Sequence, residues 1–229
     1  MKTLFIIPAR GGSKGIPRKN IKKLNGKPLI EYSINQAKRL TDPQNILVST
    51  DDLEIANIAS NCGVKPPYLR PKELATDSAS SYDVYLNAIK YYESLNIFYD
   101  IIVVLQPTSP FRKLENIKDS IKLYKNDIDM VVSVKETNSN PYYVLFEENK
   151  NGFLRQSKPS DIIRRQDCPK VYEYNGAVYV INVESLKEKP IYNFMRIKKY
   201  LMDEIDSLDL DTPIDWLFAE FLISNNLIK

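Results

Sequence analysis

Residues 3–20 read TLFIIPARGGSKGIPRKN, and this stretch indicates the class of fold. Residues 3–9 are mostly apolar, as expected of a strand buried on both faces of a parallel sheet. Three of the seven glycines in the chain then fall within five positions, at Gly11, Gly12 and Gly15. Glycines directly after a strand let the backbone turn sharply and point several N–H groups at one anion. Open α/β sheets bind their ligands at this edge, so the stretch predicts an α/β protein with a ligand at the end of its first strand.

Beyond this stretch, short apolar runs alternate with helical patterns. The predicted strands cover residues 45–49, 64–69, 100–105, 130–134 and 178–181, and the predicted helices cover 29–40, 53–61, 80–94, 114–124 and 212–223. Asp51-Asp52 supplies the start of the second helix. The alternation predicts one α/β domain over residues 1–229, with a mostly parallel, Rossmann-like sheet flanked by helices.

The alternation breaks between about residues 137 and 173. This segment is polar and rich in turn residues, and Asn151-Gly152 within it predicts a β-hairpin. We therefore expect an inserted β-arm in the single domain.

The composition excludes several classes of protein. The chain has 229 residues, of which 43% are hydrophobic and 27% charged, and it contains no histidine. Ser-His-Asp triads, zinc-histidine sites and imidazole bases are therefore excluded. No apolar run approaches the roughly 18 residues of a membrane-spanning helix, and residues 1–8 lack the features of a signal peptide. Cys62 and Cys168 match no metal spacing, so we expect a protein of the reducing cytoplasm, without a membrane partner.

The charges are distributed unevenly along the chain. Up to Ile30 there are eight basic residues and no acid, whereas residues 203–215 hold six acids and no Lys or Arg. A basic run alone is most often a solvated face or a loose nucleic-acid contact. Paired with an acidic cluster, it favours a polyphosphate with its metal ion, and we expect no nucleic acid.

The glycine loop has the side chains of a phosphate site. Arg10, Lys14 and Lys19 supply positive charge, and Ser13 and Asn20 supply polar groups. The loop contains neither G-x-x-x-x-G-K-[ST] nor G-x-G-x-x-G, so the P-loop and dinucleotide motifs are both absent. An ordinary glycine-rich turn with surface lysines is the alternative, but the clustering of these groups favours phosphate binding.

Five motifs together resemble one enzyme family. They are IPARGGSKGIPRKN (7–20), LRPKELATDSASS (69–81), LQPTSPFR (105–112), YNGAVY (174–179) and DSLDLDT (206–212). The chain is similar to the cytidylyltransferases that activate nine-carbon 2-keto acids, of which the CMP-sialic acid synthetases are the best known. The resemblance implies a nucleotidyltransferase that transfers CMP from CTP to a nonulosonic acid, with N-acetylneuraminate first and legionaminic or related acids as alternatives. A 3-deoxy-manno-octulosonate cytidylyltransferase is a further alternative, although that group lacks the 13–20 string, and a non-catalytic nucleotide-binding module is a remote one.

The resemblance also implies the nucleotide-binding residues. They are Arg10, Gly11, Gly12, Ser13, Lys14, Lys19, Asn20, Arg70, Ala79 and Ser81. For residues 79–81, a serine-capped helix N-terminus is the structural alternative. The catalytic set comprises Arg10, Lys19, Asp209 and Asp211. On an extended segment the last two point to the same side, where they could share Mg²⁺ or Mn²⁺.

The implied sugar-binding residues are Gln106, Arg165, Asn175 and Tyr179. Arg165 is the expected partner of the acid's carboxylate, because an arginine forms two parallel bonds to such a group. Glu173 departs from the family pattern, since some sialic acid enzymes have a basic residue there. The arm implies a homodimer in which it reaches a second subunit, with a lid as the alternative.

Overall fold

The computed structural model describes residues 1–228. Over this range the strands are β1 (Thr3–Pro8), β2 (Lys23–Leu24), β3 (Lys27–Pro28), β4 (Ile46–Ser49), β5 (Ile101–Leu105), β6 (Met130–Glu136), β7 (Phe146–Glu148), β8 (Leu154–Gln156), β9 (Tyr172–Asn182) and β10 (Ile197–Leu201). The α-helices are α1 (Leu29–Lys38), α2 (Leu53–Asn61), α3 (Ser81–Ser94), α4 (Leu114–Leu123), α5 (Val183–Glu188) and α6 (Pro213–Ser224).

Six of these strands form one sheet in the order β10-β6-β9-β5-β1-β4. Only β9 runs antiparallel to its neighbours in this described sheet; the other strands run in one direction. The loops that follow β1, β4 and β5 therefore leave the sheet at the same edge. The predicted α/β class, with a mostly parallel sheet flanked by helices, is confirmed.

Helices cover both faces of the sheet. In β1, Phe5 and Ile7 pack with side chains of α1, α2 and α4, whereas Leu4 and Ile6 pack with side chains of α3 and α5. This is the two-residue alternation of a strand whose two faces are both buried. In β5, all five residues are buried, as the apolar run at 100–105 predicts for a central strand.

The helix starts follow the capping residues in the sequence. Asp52 accepts from the backbone N–H groups of Glu54 and Ile55 at the start of α2, and Thr212 accepts from that of Asp215 at the start of α6. Each cap satisfies backbone donors that the helix itself leaves free. No helix in residues 1–228 is both long and apolar enough to cross a bilayer.

The structure corrects three sequence expectations. Residues 64–69 do not form a strand, since Pro66 and Pro67 offer no backbone N–H to a sheet. Strand β10 and helix α5 were not expected. Strand β9 begins at Tyr172, six residues before the expected strand, and carries a bulge where it pairs with β6 beyond Val132.

The arm leaves the sheet after Glu136 and returns at Tyr172. Its strands β7 and β8 pair antiparallel, with Phe146 opposite Gln156, and Gly152 in their turn has a φ of 80°. The hairpin expected at Asn151-Gly152 is confirmed.

Candidate active site

The loop after β1 brings its basic side chains onto one acidic residue. Arg10 and Lys14 both bind Asp77, at 2.8 and 2.6 Å, and Arg10 also donates to the carbonyl of Thr76. The Lys14 hydrogen bond, with the nearby arginine, lowers the pKa of Asp77. These two cations therefore converge on a single anionic group, which is the arrangement that a phosphate needs.

Two polar contacts shape the backbone of the same loop. The N–H of Gly11 donates to Oδ1 of Asp51 at 3.0 Å, and Nδ2 of Asn20 donates to the carbonyl of Arg10 at 2.9 Å. Asn20 is buried and holds the loop in shape, whereas Ser13 is half-buried and Gly12 lies in open space.

The far end of this loop touches the acidic segment near the end of the chain. Lys19 is buried, and its Nζ donates to the carbonyl of Leu210 and to Oδ1 of Asp211, both at 2.8 Å. The backbone of Gly15 lies very close to the backbone of Asp211, since a Cβ added to Gly15 would lie 2.2 Å from the Asp211 carbonyl oxygen. Only glycine fits at this position without moving one backbone against the other.

A cavity of about 280 Å³ opens beside the loop. Five of the residues singled out in the sequence line it, namely Arg10, Arg70, Ala79, Ser81 and Gln106. They come from the ends of β1 and β5 and from the loop and helix start between β4 and β5. The cavity thus joins three separate motifs at the carboxyl edge of the sheet, where open α/β sheets bind ligands.

Arg70 is a rigid part of this cavity wall. Its guanidinium is buried and donates to Oγ and the carbonyl of Ser49, at the end of β4, and to the carbonyl of Leu74. Burial lowers its pKa. Because its donors are engaged with the scaffold, Arg70 fixes the shape of the wall.

Asp209 and Asp211 differ sharply in their surroundings. Asp209 is mostly buried. Burial and the neighbouring charge of Asp211 raise its pKa to about 6, although a hydrogen bond from Thr108 acts to lower that pKa. Its Oδ1 is buried and has no hydrogen-bond partner among the described residues. Asp211 is exposed and pairs with Lys19. The N–H of Leu210, between them, donates to the carbonyl of Thr108 at 2.8 Å and anchors the segment to the loop after β5.

A family model described as cytidylyltransferase matches residues 4–220, which is nearly the whole chain. The chain belongs to the cytidylyltransferase family. It is therefore an enzyme that transfers a nucleotidyl group.

Three characterised relatives are similar to this cytidylyltransferase. The CMP-N,N'-diacetyllegionaminic acid synthase of Legionella pneumophila is 33% identical, over 99% of this chain and 98% of its own length. The pseudaminic acid cytidylyltransferase of Campylobacter jejuni is 34% identical, over 99% of this chain and 98% of its own length. The N-acylneuraminate cytidylyltransferase of Streptococcus agalactiae is 37% identical over 95% of this chain but only 52% of its own length.

Solved structures show the same fold. A CMP:2-keto-3-deoxy-manno-octonic acid synthetase complexed with CTP superposes with a TM-score of 0.72 at 17% identity, covering 99% of this chain and all of that one. A 4-diphosphocytidyl-2C-methyl-D-erythritol synthase from Anaerococcus prevotii superposes with a TM-score of 0.66 at 12% sequence identity. The match covers 97% of this chain and 96% of that one. At these identities the likeness concerns the fold alone.

The cytidylyltransferase has two polar residues from the sugar set near its cleft. Gln106 lines the 280 Å³ cavity, and its carbonyl, rather than its side chain, is engaged by the scaffold. Tyr179 is half-buried; burial and the nearby charge of Asp209 raise its pKa to about 12. Gln106 directly follows β5, whereas Tyr179 lies within the neighbouring strand β9, opposite Val104.

Asn175 is used by the protein itself. Its side chain accepts from Oγ of Ser133 at 2.6 Å and from the N–H of Ala177, and it donates to Oγ of Ser207 at 2.8 Å. Asn175 therefore ties the bulge in β9 to the segment that carries Asp209. These internal hydrogen bonds give Asn175 a structural role, and its contact with the sugar stays a prediction.

Arg165 lies apart from the cavity beside the glycine loop and from the acidic pair Asp209 and Asp211. It is exposed on the arm, and its guanidinium donates to Oδ1 of Asn138, another residue of the arm. The contact of Arg165 with the sugar carboxylate stays a prediction that depends on where the arm reaches.

Two residues of the site were missed from the sequence. Asp77 gathers Arg10 and Lys14, and its place within the 69–81 motif was a usable signal. Arg112 is 2% exposed and donates only to uncharged acceptors. Its place at the end of the 105–112 motif was a usable signal, but its burial was not, since an arginine after a turn is normally exposed.

The acidic pair fits a divalent cation. Asp209 and Asp211 lie side by side, and the buried, unpaired Oδ1 of Asp209 is a free oxygen ligand. Within the described residues no group of three or more His, Cys, Asp and Glu forms a closed metal site. Magnesium is commonly bound by one or two carboxylates together with phosphate oxygens and water, which matches this open pair.

Proposed function

We propose that this cytidylyltransferase transfers CMP from CTP to the anomeric hydroxyl of a nonulosonic acid and releases pyrophosphate. The ion pair between Lys19 and Asp211 carries the proposal, because it joins the phosphate loop to the acidic pair. A triphosphate in the loop would then lie beside the two carboxylates. The whole-length similarity to the legionaminic and pseudaminic acid enzymes supports the choice of acceptor.

In the proposed nucleotide site, Arg10, Lys14 and Lys19 bind the triphosphate. The backbone N–H of Gly12, with Ser13, adds uncharged donors, the N–H of Gly11 would join them on leaving Asp51, and Asn20 holds the loop in place. An incoming phosphate would replace the carboxylate of Asp77 on Arg10 and Lys14. Arg70, Ala79 and Ser81 would frame the cytosine and ribose in the 280 Å³ cavity.

The proposed reaction is an in-line displacement. The anomeric oxygen of the acid forms a bond to the α-phosphorus and loses its proton, while the bond from that phosphorus to the β-phosphate oxygen breaks. Such a transition state is stabilised mainly by position and charge, so the lack of histidine is no obstacle. Lys19 and Arg10 would neutralise the charge that develops on the leaving pyrophosphate. Mg²⁺ or Mn²⁺ bound by Asp209 and Asp211 would polarise the α-phosphate.

Two acids are candidates for the acceptor. Full-length similarity favours a diacetamido acid such as N,N'-diacetyllegionaminate, whereas 37% identity to the streptococcal enzyme favours N-acetylneuraminate. A second cavity, of about 490 Å³, reaches Asp209 and has an apolar wall that includes Tyr174, Phe218 and Leu222. An apolar wall suits the methyl groups of a deoxy, diacetylated sugar better than a hydroxylated tail, so we place the diacetamido acid first.

Glu173 is the proposed specificity residue in this second cavity. It pairs with Lys135 at 2.8 Å, and the Lys135 hydrogen bond lowers its pKa. Glu173→Gln leaves Lys135 unpaired and should change the ratio of kcat/KM values between the two acids. Glu136→Gln is the matched control, because it breaks a similar exposed pair with Lys170 outside the cavity.

The proposed location and assembly follow from other features. Both cysteines in the described chain are free, which fits a reducing cytoplasm. The arm exposes Phe146, Phe153 and Leu154, and such apolar patches mark protein contacts. We propose a homodimer in which the arm, with Arg165, completes the partner's sugar site; a monomer by light scattering would overturn this.

The reaction is tested by pyrophosphate release from purified protein. The assay contains Mg²⁺, CTP and one acid at a time: N,N'-diacetyllegionaminic, N-acetylneuraminic, pseudaminic or 3-deoxy-manno-octulosonic acid. ATP, GTP and UTP replace CTP as controls. Release that requires both CTP and a nine-carbon acid is the expected result; release with the eight-carbon acid alone would overturn the acceptor class.

A further inference from the structure

Arg112 is a buried cation that the proposed reaction does not use directly. Its side chain is 2% exposed, and it forms no ion pair with a carboxylate among residues 1–228. All of its hydrogen bonds go to uncharged acceptors: the carbonyls of Gln106 (2.7 Å) and Ala177 (3.0 Å), Oε1 of Gln36 (2.8 Å) and Oγ of Ser33.

The two carbonyls lie where two neighbouring strands separate. The pairing of β5 with β9 ends at Leu105 opposite Val178. Gln106 and Ala177 are the next residues along, and one nitrogen of Arg112, Nη1, donates to both of their carbonyls. Arg112 therefore bridges the sheet at the point where it opens into the cleft.

Each of the two strands carries residues of the site at the point where they separate. Gln106 lines the cavity that contains Arg10 and Arg70. On the other strand, Gly176 precedes Ala177, and a Cβ added to it would lie 3.7 Å from Oδ2 of Asp209. The bridge made by Arg112 thus fixes Gln106 relative to Asp209.

The charge of Arg112 is costly where it lies. Burial lowers its pKa to about 9, and Asp209 supplies the opposing charge. Apolar residues of similar volume often replace buried ions with no loss of stability. A guanidinium that only filled space would gain nothing here. Nη1 binds both carbonyls, while Nε and Nη2, held in the same plane, bind Gln36 and Ser33 and fix its direction, which a lysine ammonium does not reproduce.

We propose that Arg112 is a positioning residue, which sets the spacing between Gln106, on the nucleoside side, and Asp209, on the side of the acceptor and the reacting phosphate. The inference rests on the proposed function, since it assigns those sides. Arg112 binds neither substrate; it acts through the backbone of the two strands.

The test compares Arg112→Lys and Arg112→Met with wild type in steady-state assays. Lysine keeps the charge but lacks the planar fork, and it is the variant of choice if the methionine variant does not fold. We expect kcat to fall by roughly 100-fold, because small misplacements of reacting groups cost about that much. The KM for CTP should stay within about twofold, since the nucleotide contacts are retained.

Asp129→Asn is the matched control for lost stability. Asp129 is fully buried and directly precedes β6, at the opposite edge of the sheet from the cleft. This variant should lower the melting temperature while kcat is retained. An Arg112→Lys variant that loses only melting temperature, or one in which the KM for CTP rises and kcat holds, would overturn the positioning role.

A second readout does not depend on turnover. Hydrogen exchange of residues 106–109 and 175–178 should accelerate in Arg112→Lys and stay unchanged in Asp129→Asn. If wild type makes no CMP-sugar with any acid, the proposed function fails while this comparison still decides the role of Arg112. Equal exchange in wild type and Arg112→Lys would contradict the bridge.

Discussion

Lys19 and Asp211 are 192 residues apart in the sequence, yet Nζ of one lies 2.8 Å from Oδ1 of the other. The same Nζ donates to the carbonyl of Leu210, so the lysine holds the backbone as well as the carboxylate. The basic start and the acidic end of the chain are therefore one structural unit. This contact joins one residue of the basic segment to one of the acidic segment.

Replacing Lys19 by methionine should damage both folding and turnover. The buried Leu210 carbonyl loses its donor, at a cost of about 1–3 kcal/mol in the free energy of unfolding. Loss of a cation at the leaving pyrophosphate should lower kcat by roughly 100-fold or more. Urea unfolding and pyrophosphate release measure the two effects.

Lys27→Gln is the control for charge alone. Lys27 belongs to the same basic run, is exposed on β3 and makes no ion pair with any described residue. It should retain the stability and kcat of wild type. A Lys27→Gln variant as impaired as Lys19→Met would show that the overall charge matters and not the contact.

The two aspartates should separate stability from activity. Asp209→Asn and Asp211→Asn should both abolish turnover, since each removes a carboxylate proposed to bind the metal ion. Asp209→Asn should keep or raise the melting temperature, because it replaces a mostly buried carboxylate, whose pKa burial raises, with a neutral amide of the same shape. Thermal melting with and without Mg²⁺ and CTP measures this, and the stabilisation by Mg²⁺ and CTP should be lost. Retained turnover in either variant would contradict the assignment.

Gly15 and Gly12 form a matched pair in the same loop. A methyl group at Gly15 would lie 2.2 Å from the Asp211 carbonyl oxygen, whereas one at Gly12 meets nothing within 4 Å. Gly15→Ala should therefore cost about 1–3 kcal/mol of stability and raise the KM for CTP as the loop moves away. Gly12→Ala should leave the melting temperature unchanged. Equal melting temperatures for the two variants would contradict the close approach of Gly15.

Asp129 should govern part of the acid stability. Burial works to raise its pKa, but hydrogen bonds from the N–H groups of Arg196 and Met195, the Ser185 hydroxyl and the Arg196 guanidinium hold that pKa well below its usual range. The stabilisation is thus fully present above the unfolded pKa of about 3.9 and is lost as the pH falls towards the folded value.

Asp129→Asn should therefore be less stable than wild type by about 3 kcal/mol at pH 7. The gap should narrow between pH 5 and pH 2, because only wild type loses this contribution. Urea midpoints at pH 7, 4 and 2.5 measure it. A gap that stays constant with pH would show that the carboxylate charge contributes nothing.

The sequence predicts the fold well where the local pattern and the tertiary environment agree. Strand β5 is apolar throughout because it is buried on both faces, and α2 begins after Asp52 because that residue caps it. Strand β10 was missed because it lies at the sheet edge, where two lysines in Ile197–Leu201 dilute the apolar pattern. The apolar residues of 64–69 suggested a strand, but the two prolines there prevent one.

The site was predictable only as a set of separate motifs. Gly11–Lys19, residues 69–81 and Asp209–Asp211 carry recognisable chemistry, but their contacts depend on the sheet order. Tertiary packing produces the remaining contacts: the ion pairs of Asp77 with two cations, the internal hydrogen bonds of Asn175, and the bridge of Arg112 between two carbonyls. None of them leaves a periodic or compositional pattern in one sequence.

The proposed role of Lys19, Asp209 and Asp211 is to assemble a site for CMP transfer to a nine-carbon acid. Its most direct test is mass-spectrometric detection of the product from CTP, Mg²⁺ and N,N'-diacetyllegionaminate or N-acetylneuraminate. We expect one CMP-sugar formed for each pyrophosphate released, and none with Asp211→Asn. Pyrophosphate release without a CMP-sugar, or CTP binding without either product, would contradict it.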